Sequence, residues 1–247
     1  MIEGIAALRE AYRDDQVAAR YIENRFREPL GAMLHARQAQ ALCRLVRDVR
    51  PRDVLEIAPG PARLTVDVGR VLRRPGTAVD ASAAMLAQAR QRLRTAGVAW
   101  RCVNGDAFSL PFGCEFDLAY SFRLVRHFER PERVRLYREI ARVLRPRGLF
   151  VFDAVNADVS APLRGAAAPG EYEHYDALLT QPELEAELRD SGLHVQSVEG
   201  VQRRYRALSR AQVLIAPRSR PLARAAMEII DRLGGPPLEW IVTCRRG

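Results

Sequence analysis

The sequence predicts an α/β fold: a seven-stranded, mostly parallel sheet with helices on both faces and an antiparallel last strand. Three observations predict it. From residue 51 onward, short apolar runs alternate with amphipathic stretches at helical spacing. Gly and Pro punctuate most of the junctions. Small or acidic residues follow the first three apolar runs, at Ala58, Asp80 and Asp106, where the carboxyl edge of an open parallel sheet meets a ligand.

Residues 2–48 read as helical, divided at Pro29 and Gly31, with Leu34, Leu42, Leu45, Val46 and Val49 at helical spacing. Residues 53–57 form the first strand and 58–62 a small-residue turn, from which a helix over 64–72 opens directly. Pro75-Gly76 breaks that helix, and 77–80 is the second strand. Ser82 caps a helix over 83–94, and Gly97 stops it. Strands follow at 98–103 and 116–120. An amphipathic helix at 131–144 closes near Pro146-Arg147-Gly148, and 149–152 is the fifth strand. Thr180 and Glu183 form a capping box for a helix at 181–190, with strands at 194–201 and 239–244 beyond it. Crossovers between parallel strands should be right-handed.

This divides the chain into an N-terminal helical cap (1–50), a core (51–200 and 239–247) and two insertions (154–179 and 202–238). Insertions of this length at one end of a sheet form lids or interfaces. The second holds eight arginines and an amphipathic stretch near Leu222 to Leu233, which leaves a membrane surface or a homodimer contact open.

Composition narrows the chemistry. The chain has 247 residues and a net charge of +9, and all 39 basic residues are arginine. Without lysine there is no Walker phosphate loop, no pyridoxal Schiff base and no kinase strand lysine. The four cysteines form no CxxC pair and the four histidines no HxxxH spacing, so no metal site is expected and a reducing cytoplasm is the expected compartment. No run of 18 apolar residues exists, and MIEGIAALRE does not read as a secretory signal.

The three strand ends describe an adenosine-bearing cofactor. The turn Ala58-Pro59-Gly60-Pro61-Ala62 lets backbone approach a ligand, and the helix behind it offers unpaired N–H groups. A carboxylate ending strand two can accept both ribose hydroxyls, and one after strand three can meet an adenine edge. A dinucleotide fingerprint would need glycines at 58, 60 and 63, but Arg63 stands at the last position. Small residues at 58, 60 and 62, after Glu56, are what the chain has instead.

With these features the sequence resembles the class I S-adenosylmethionine-dependent methyltransferases of small molecules. The matching pieces are 54–62, 79–85, 105–112, 116–121 and 142–150, in series. The resemblance implies that Glu56, Ala58, Pro59 and Gly60 hold the methionine part of S-adenosyl-L-methionine, that Asp80 binds the ribose, and that Ala81 and Met85 line the adenine pocket. It places Asp106 and Ala107 on the adenine edge and Ser121 and Phe122 toward the sulfonium. The family has glycines at 58 and 62, where this chain has alanines, and Pro59 and Pro61 each lack an N–H donor.

Methyl transfer is an in-line displacement that needs alignment, water exclusion and, for a protonated nucleophile, a base. After strand four the family often carries a His-His pair; here Arg126 and His127 stand there, so His127 is the candidate base. A helix cap or a polar core position would suit His127 equally. Arg123, Arg126, Tyr172, His174 and Tyr175 are candidate substrate contacts, and the arginines suit an anionic acceptor. Tyr12, Tyr21, Arg25 and Arg37 would close over the cofactor or serve as solvated faces. Three rival functions stay on the table: an RNA or DNA methyltransferase, suggested by charge but lacking the base-amine and cytosine motifs after strand four, a non-catalytic binding protein on the same fold, and an NAD-dependent enzyme, against which Arg63 speaks.

Overall fold

The computed structural model describes residues 26–166 and 175–247. Tyr12, Tyr21, Arg25, Tyr172 and His174 lie outside the described residues. Strand order in the main sheet is β3-β2-β1-β4-β5-β8-β7, with a two-residue β6 (Leu178–Leu179) paired to β5. β1 (Val54–Ile57), β2 (Thr77–Asp80), β3 (Arg101–Asn104), β4 (Phe116–Ser121) and β5 (Leu144–Asn156) run parallel. β8 (Pro237–Arg246) lies antiparallel between β5 and β7 (Leu193–Arg203). The order reverses between β1 and β4, and this switch point opens a crevice at the carboxyl ends of those strands.

Both faces of the sheet are covered. On one lie α1 (Pro29–Val49), through Leu34, Leu42 and Val46, and α2 (Arg63–Leu72), through Leu64, Val68 and Leu72. On the other, α4 (Arg130–Val143) contributes Leu136, Tyr137 and Ile140, and α6 (Gln181–Arg189) contributes Leu184 and Leu188. α3 (Ala83–Ala96) packs Ala89 and Leu93 against Ala62. Short polar signals set the helix starts. Ser82 Oγ accepts from Met85 N, and Glu129 and Glu132 form a capping box for α4, as Thr180 and Glu183 do for α6.

The structure redraws several expected boundaries. Pro29 starts α1 rather than ending a helix, because a proline at the first helical position loses no intrahelical bond, and Gly31 lies within the first turn. β3 begins at Arg101, not 98. Among the described residues, the first insertion holds α5 (Ala157–Gly165), capped by Asn156, and β6; the second is a helical hairpin, α7 (Tyr205–Ile215) and α8 (Arg220–Arg232). That hairpin docks on α1, where Arg37 reaches Glu228 at 2.8 Å and Asp231 at 3.1 Å.

Candidate cofactor and acceptor site at the sheet switch point

The β1–α2 turn is built from left-handed backbone. Ala58, Gly60 and Ala62 have φ of +53°, +54° and +60°. A Cβ at Gly60 would meet only Met85 Sδ, at 3.9 Å, so backbone conformation rather than crowding favours glycine there. The two alanines adopt the same region with a Cβ, at a cost of about 1 to 2 kcal/mol each. The turn ends at Ala62, and α2 starts with no side-chain cap and no acid in its first turn. Its leading N–H groups and its positive dipole end therefore face the crevice together with Arg63.

Glu56 lies buried on β1 beneath this turn. Thr65 Oγ1 and Tyr120 Oη donate to its Oε2 at 2.5 and 2.9 Å, and neither bond reaches Oε1. Burial pushes the Glu56 carboxyl up to about 7, against those two hydrogen bonds and the more distant Arg63. Arg63 is itself held from α1, by His35 Nδ1 and by Gln38 Oε1 at 2.7 Å, with its guanidinium 4.1 Å from the Phe26 ring centre. Glu56, Ala58, Pro59, Gly60, Arg63, Leu64, Phe122 and Arg123 surround a cavity of about 40 Å³.

Asp80 ties two loops together. Its Oδ2 accepts from Gly60 N at 3.1 Å and its Oδ1 from Ser82 N at 2.8 Å. Burial raises its carboxyl above the ordinary range, and these backbone donors oppose the rise. Asn104 Nδ2 bridges the carbonyls of Asp80 and Ala81, a contact that sequence reasoning passed over. Met85 is buried at the start of α3, while Ala81 is exposed. Asp106 Oδ1 accepts from Phe108 N and turns the loop after β3, which brings Ala107 against the core.

The residues after β4 divide. Phe122 and Arg123 reach the cavity. Ser121 does not: its hydroxyl donates to Ile57 O at 2.8 Å and pins β4 to β1. Arg126, expected among the substrate contacts, is instead committed to the interior. It donates to Asp153 Oδ2 at 2.5 Å and to Glu239 Oε1 at 2.9 Å, all three side chains being buried. The reason is topological, because the turn Val125–His127 crosses the ends of β5 and β8, and those strands supply two carboxylates. Asp153 also accepts from Arg123 N at 2.6 Å, which holds Arg123 at φ +64°. Neither acid was singled out in the sequence, although Asp153 interrupts the apolar run of β5.

His127 lies on the same turn with its side chain nearly buried. Its Nδ1 approaches Tyr175 O at 3.3 Å and Asp176 Oδ1 at 3.8 Å. Burial pushes the imidazole down to about 4, and Asp176 only partly offsets this. Asp176 is fixed by Arg164 at 2.6 Å. Tyr175 itself is exposed, and its contribution here is a backbone carbonyl.

This donor set suits a zwitterionic nucleoside. Glu56 offers a buried carboxyl with no contacting cation among the described residues, Arg63 and the α2 N-terminus offer positive charge for a carboxylate, and Asp80 has lone pairs left for hydroxyls. A cavity of about 40 Å³ is far below the roughly 300 Å³ of ordinary ligand pockets, and Asp80, Met85 and Asp106 do not line it.

Residues 54–148 match a protein family described as a methyltransferase domain. Among solved structures, the chain is similar to magnesium protoporphyrin IX methyltransferase from Synechocystis PCC 6803 with bound SAH, at TM-score 0.70 and 12% identity, covering 98% of this chain and 99% of that one. A S-adenosylmethionine-dependent methyltransferase from Clostridium acetobutylicum ATCC 824 gives TM-score 0.63 and 14% identity over 85% and 90% of the two chains. The [4+2]-cyclase SpnF gives 0.55 and 23% over 78% and 74%. At these identities the structural likenesses show the fold.

Proposed function

We propose that this chain, a class I S-adenosylmethionine-dependent methyltransferase, transfers the methyl group to an oxygen, nitrogen or carbon nucleophile of a small-molecule acceptor, with His127 taking the proton. When bound, the cofactor supplies a methyl group on sulfonium that is open to in-line displacement. Glu56 binds its ammonium end, Arg63 its carboxylate, and Asp80 its ribose hydroxyls. Phe122 closes the cavity on the β4 side and excludes water. Arg123 sits at the same wall with no carboxylate partner among the described residues, which suits an anionic acceptor. The small-molecule methyltransferases among the fold neighbours support the acceptor class.

The observation that carries the base assignment is the state of His127. With Nδ1 directed at Tyr175 O and Asp176, Nε2 is left outside those contacts to receive a proton, and burial, which pushes the imidazole down to about 4, keeps it neutral at the expense of basicity. The test uses tritiated S-adenosylmethionine and two acceptor fractions, low-mass cell extract and bulk RNA. Label in the low-mass fraction is expected, and label in RNA alone overturns the reading. With the acceptor in hand, the acid limb of kcat should lie near pH 4 to 5 rather than near 6.5, because His127 resists protonation down to about 4. His127→Gln should lower kcat by about a hundredfold and leave cofactor affinity unchanged.

A further inference from the structure

The α7–α8 hairpin is apolar on two sides. Inward, Leu208 and Ala211 of α7 and Met227 of α8 close a small core with Leu30 and Met33 of α1, and Ile230 packs against it. Outward, Val213, Leu214, Leu222, Ile229 and Leu233 are 60% to 67% exposed, five of the seven large hydrophobic side chains exposed among the described residues. Leu222, Ile229 and Leu233 recur at i, i+7 and i+11, one stripe of α8 turned away from Met227. A helix with two apolar stripes has something to bury on both.

Charge says what covers the outer stripe. Arg206 and Arg210 are exposed on the α7 face that carries Val213 and Leu214, Arg232 flanks the α8 stripe, and none of the three has a hydrogen bond or ion pair among the described residues. The hairpin's acids, Glu228 and Asp231, are engaged by Arg37 of α1, and Asp231 also accepts from Arg203 N. A second copy on this face would set like charges against one another. A nucleic acid would meet the arginines and leave the leucines wet. Anionic lipid satisfies both, since acyl boundary takes the apolar side chains and phosphates take guanidinium groups in paired hydrogen bonds.

We propose that the outer face of the α7–α8 hairpin docks on an anionic lipid surface. Contact is in the plane of the interface, since no helix among the described residues is long and apolar enough to cross a membrane. The hairpin rests on α1, the helix whose His35 and Gln38 hold Arg63, so the docked face is one helix removed from the cofactor cavity.

The test is co-sedimentation of the full chain with vesicles of phosphatidylcholine alone and of phosphatidylcholine mixed with phosphatidylglycerol. Sedimentation with the mixed vesicles only, weakening as salt rises, is expected. Leu222→Asp/Ile229→Asp should cut vesicle affinity by more than about tenfold while its thermal melt stays close to wild type. Arg206→Gln/Arg210→Gln/Arg232→Gln should cut it too and flatten the salt dependence. Failure of the folded wild type to sediment at low salt overturns the proposal, as does binding unchanged in both variants. A wild-type dimer that the leucine–isoleucine variant splits into monomers overturns it in favour of a second copy. Binding lost only in the arginine variant, with RNA competing, overturns it in favour of nucleic acid.

Discussion

Two buried charged groups stand at the carboxyl edge of the sheet, and the chain treats them differently. Arg126 lies between Asp153 and Glu239, which leaves only its Nε and Glu239 Oε2 without a partner in that triad. Burial alone would lower Arg126, yet the two carboxylates hold it above the usual arginine range. Glu56 receives two hydroxyl donors but no contacting cation among the described residues, and burial pushes it up to about 7. A charge whose counter-charge comes from the chain is scaffold. A charge whose counter-charge is missing is where we propose that the ligand supplies it. The same distinction separates the two arginines three residues apart, Arg126 in the interior and Arg123 at the cavity.

The largest effect should come from breaking the triad. Arg126→Met leaves Asp153 and Glu239 buried without a cation, and should cost about 3 to 5 kcal/mol in chemical denaturation at pH 7. Arg126→Met/Asp153→Asn/Glu239→Gln should recover most of that, since no buried charge is left and the amide oxygen introduced at position 153 can still accept from Arg123 N. A loss under about 1 kcal/mol for the single variant would show that the triad is not holding the turn.

Glu56→Gln should act in the opposite direction. The folded-state carboxyl titrates near 7 against an ordinary 4.5, so the folded chain holds that proton more tightly than the unfolded chain. Stability from this group is therefore greatest at low pH and falls as pH rises from about 4.5 through 7. Glutamine, which can still accept from Thr65 and Tyr120, should be more stable than wild type at pH 8 by up to about 3 kcal/mol, with the gap closing by pH 4.5. Affinity for S-adenosylhomocysteine should fall about ten- to hundredfold by calorimetry. Gained stability with unchanged affinity would place the ammonium elsewhere.

Much of this fold was legible because local signals agree. Apolar runs, Ser82, the Thr180–Glu183 box and the glycine and proline breaks all point the same way. Asp80 could be placed at the end of a strand by spacing alone, while the role expected of Glu56, inside β1, came from the resemblance. What was not legible depends on contacts distant in sequence. Ser121 looked like a crevice residue until the register set its hydroxyl on Ile57 O. Arg126 looked like a pocket residue until β8, more than a hundred residues later, delivered Glu239 beside it. Gly31 looked like a helix break because an isolated glycine signal does not say which side of a helix start it occupies.

The smallest effect tests the turn itself. Ala58 at φ +53° occupies a region that a Cβ disfavours, while glycine there costs additional unfolded-state entropy. The first outweighs the second, so Ala58→Gly should raise stability by about 0.5 to 1 kcal/mol. Ala119→Gly is the matched control: buried in the middle of β4, it should destabilise by about 1 kcal/mol or more, through lost packing and the cost of glycine in a strand. If Ala58 has been kept for function rather than merely tolerated, the more stable glycine variant should bind S-adenosylhomocysteine less tightly, because a freer turn is less pre-organised. If affinity holds or improves, the methyl group at 58 is a strain the cavity does not use, and the pairing of missing counter-charge with ligand binding rests on Glu56 and Asp80 alone.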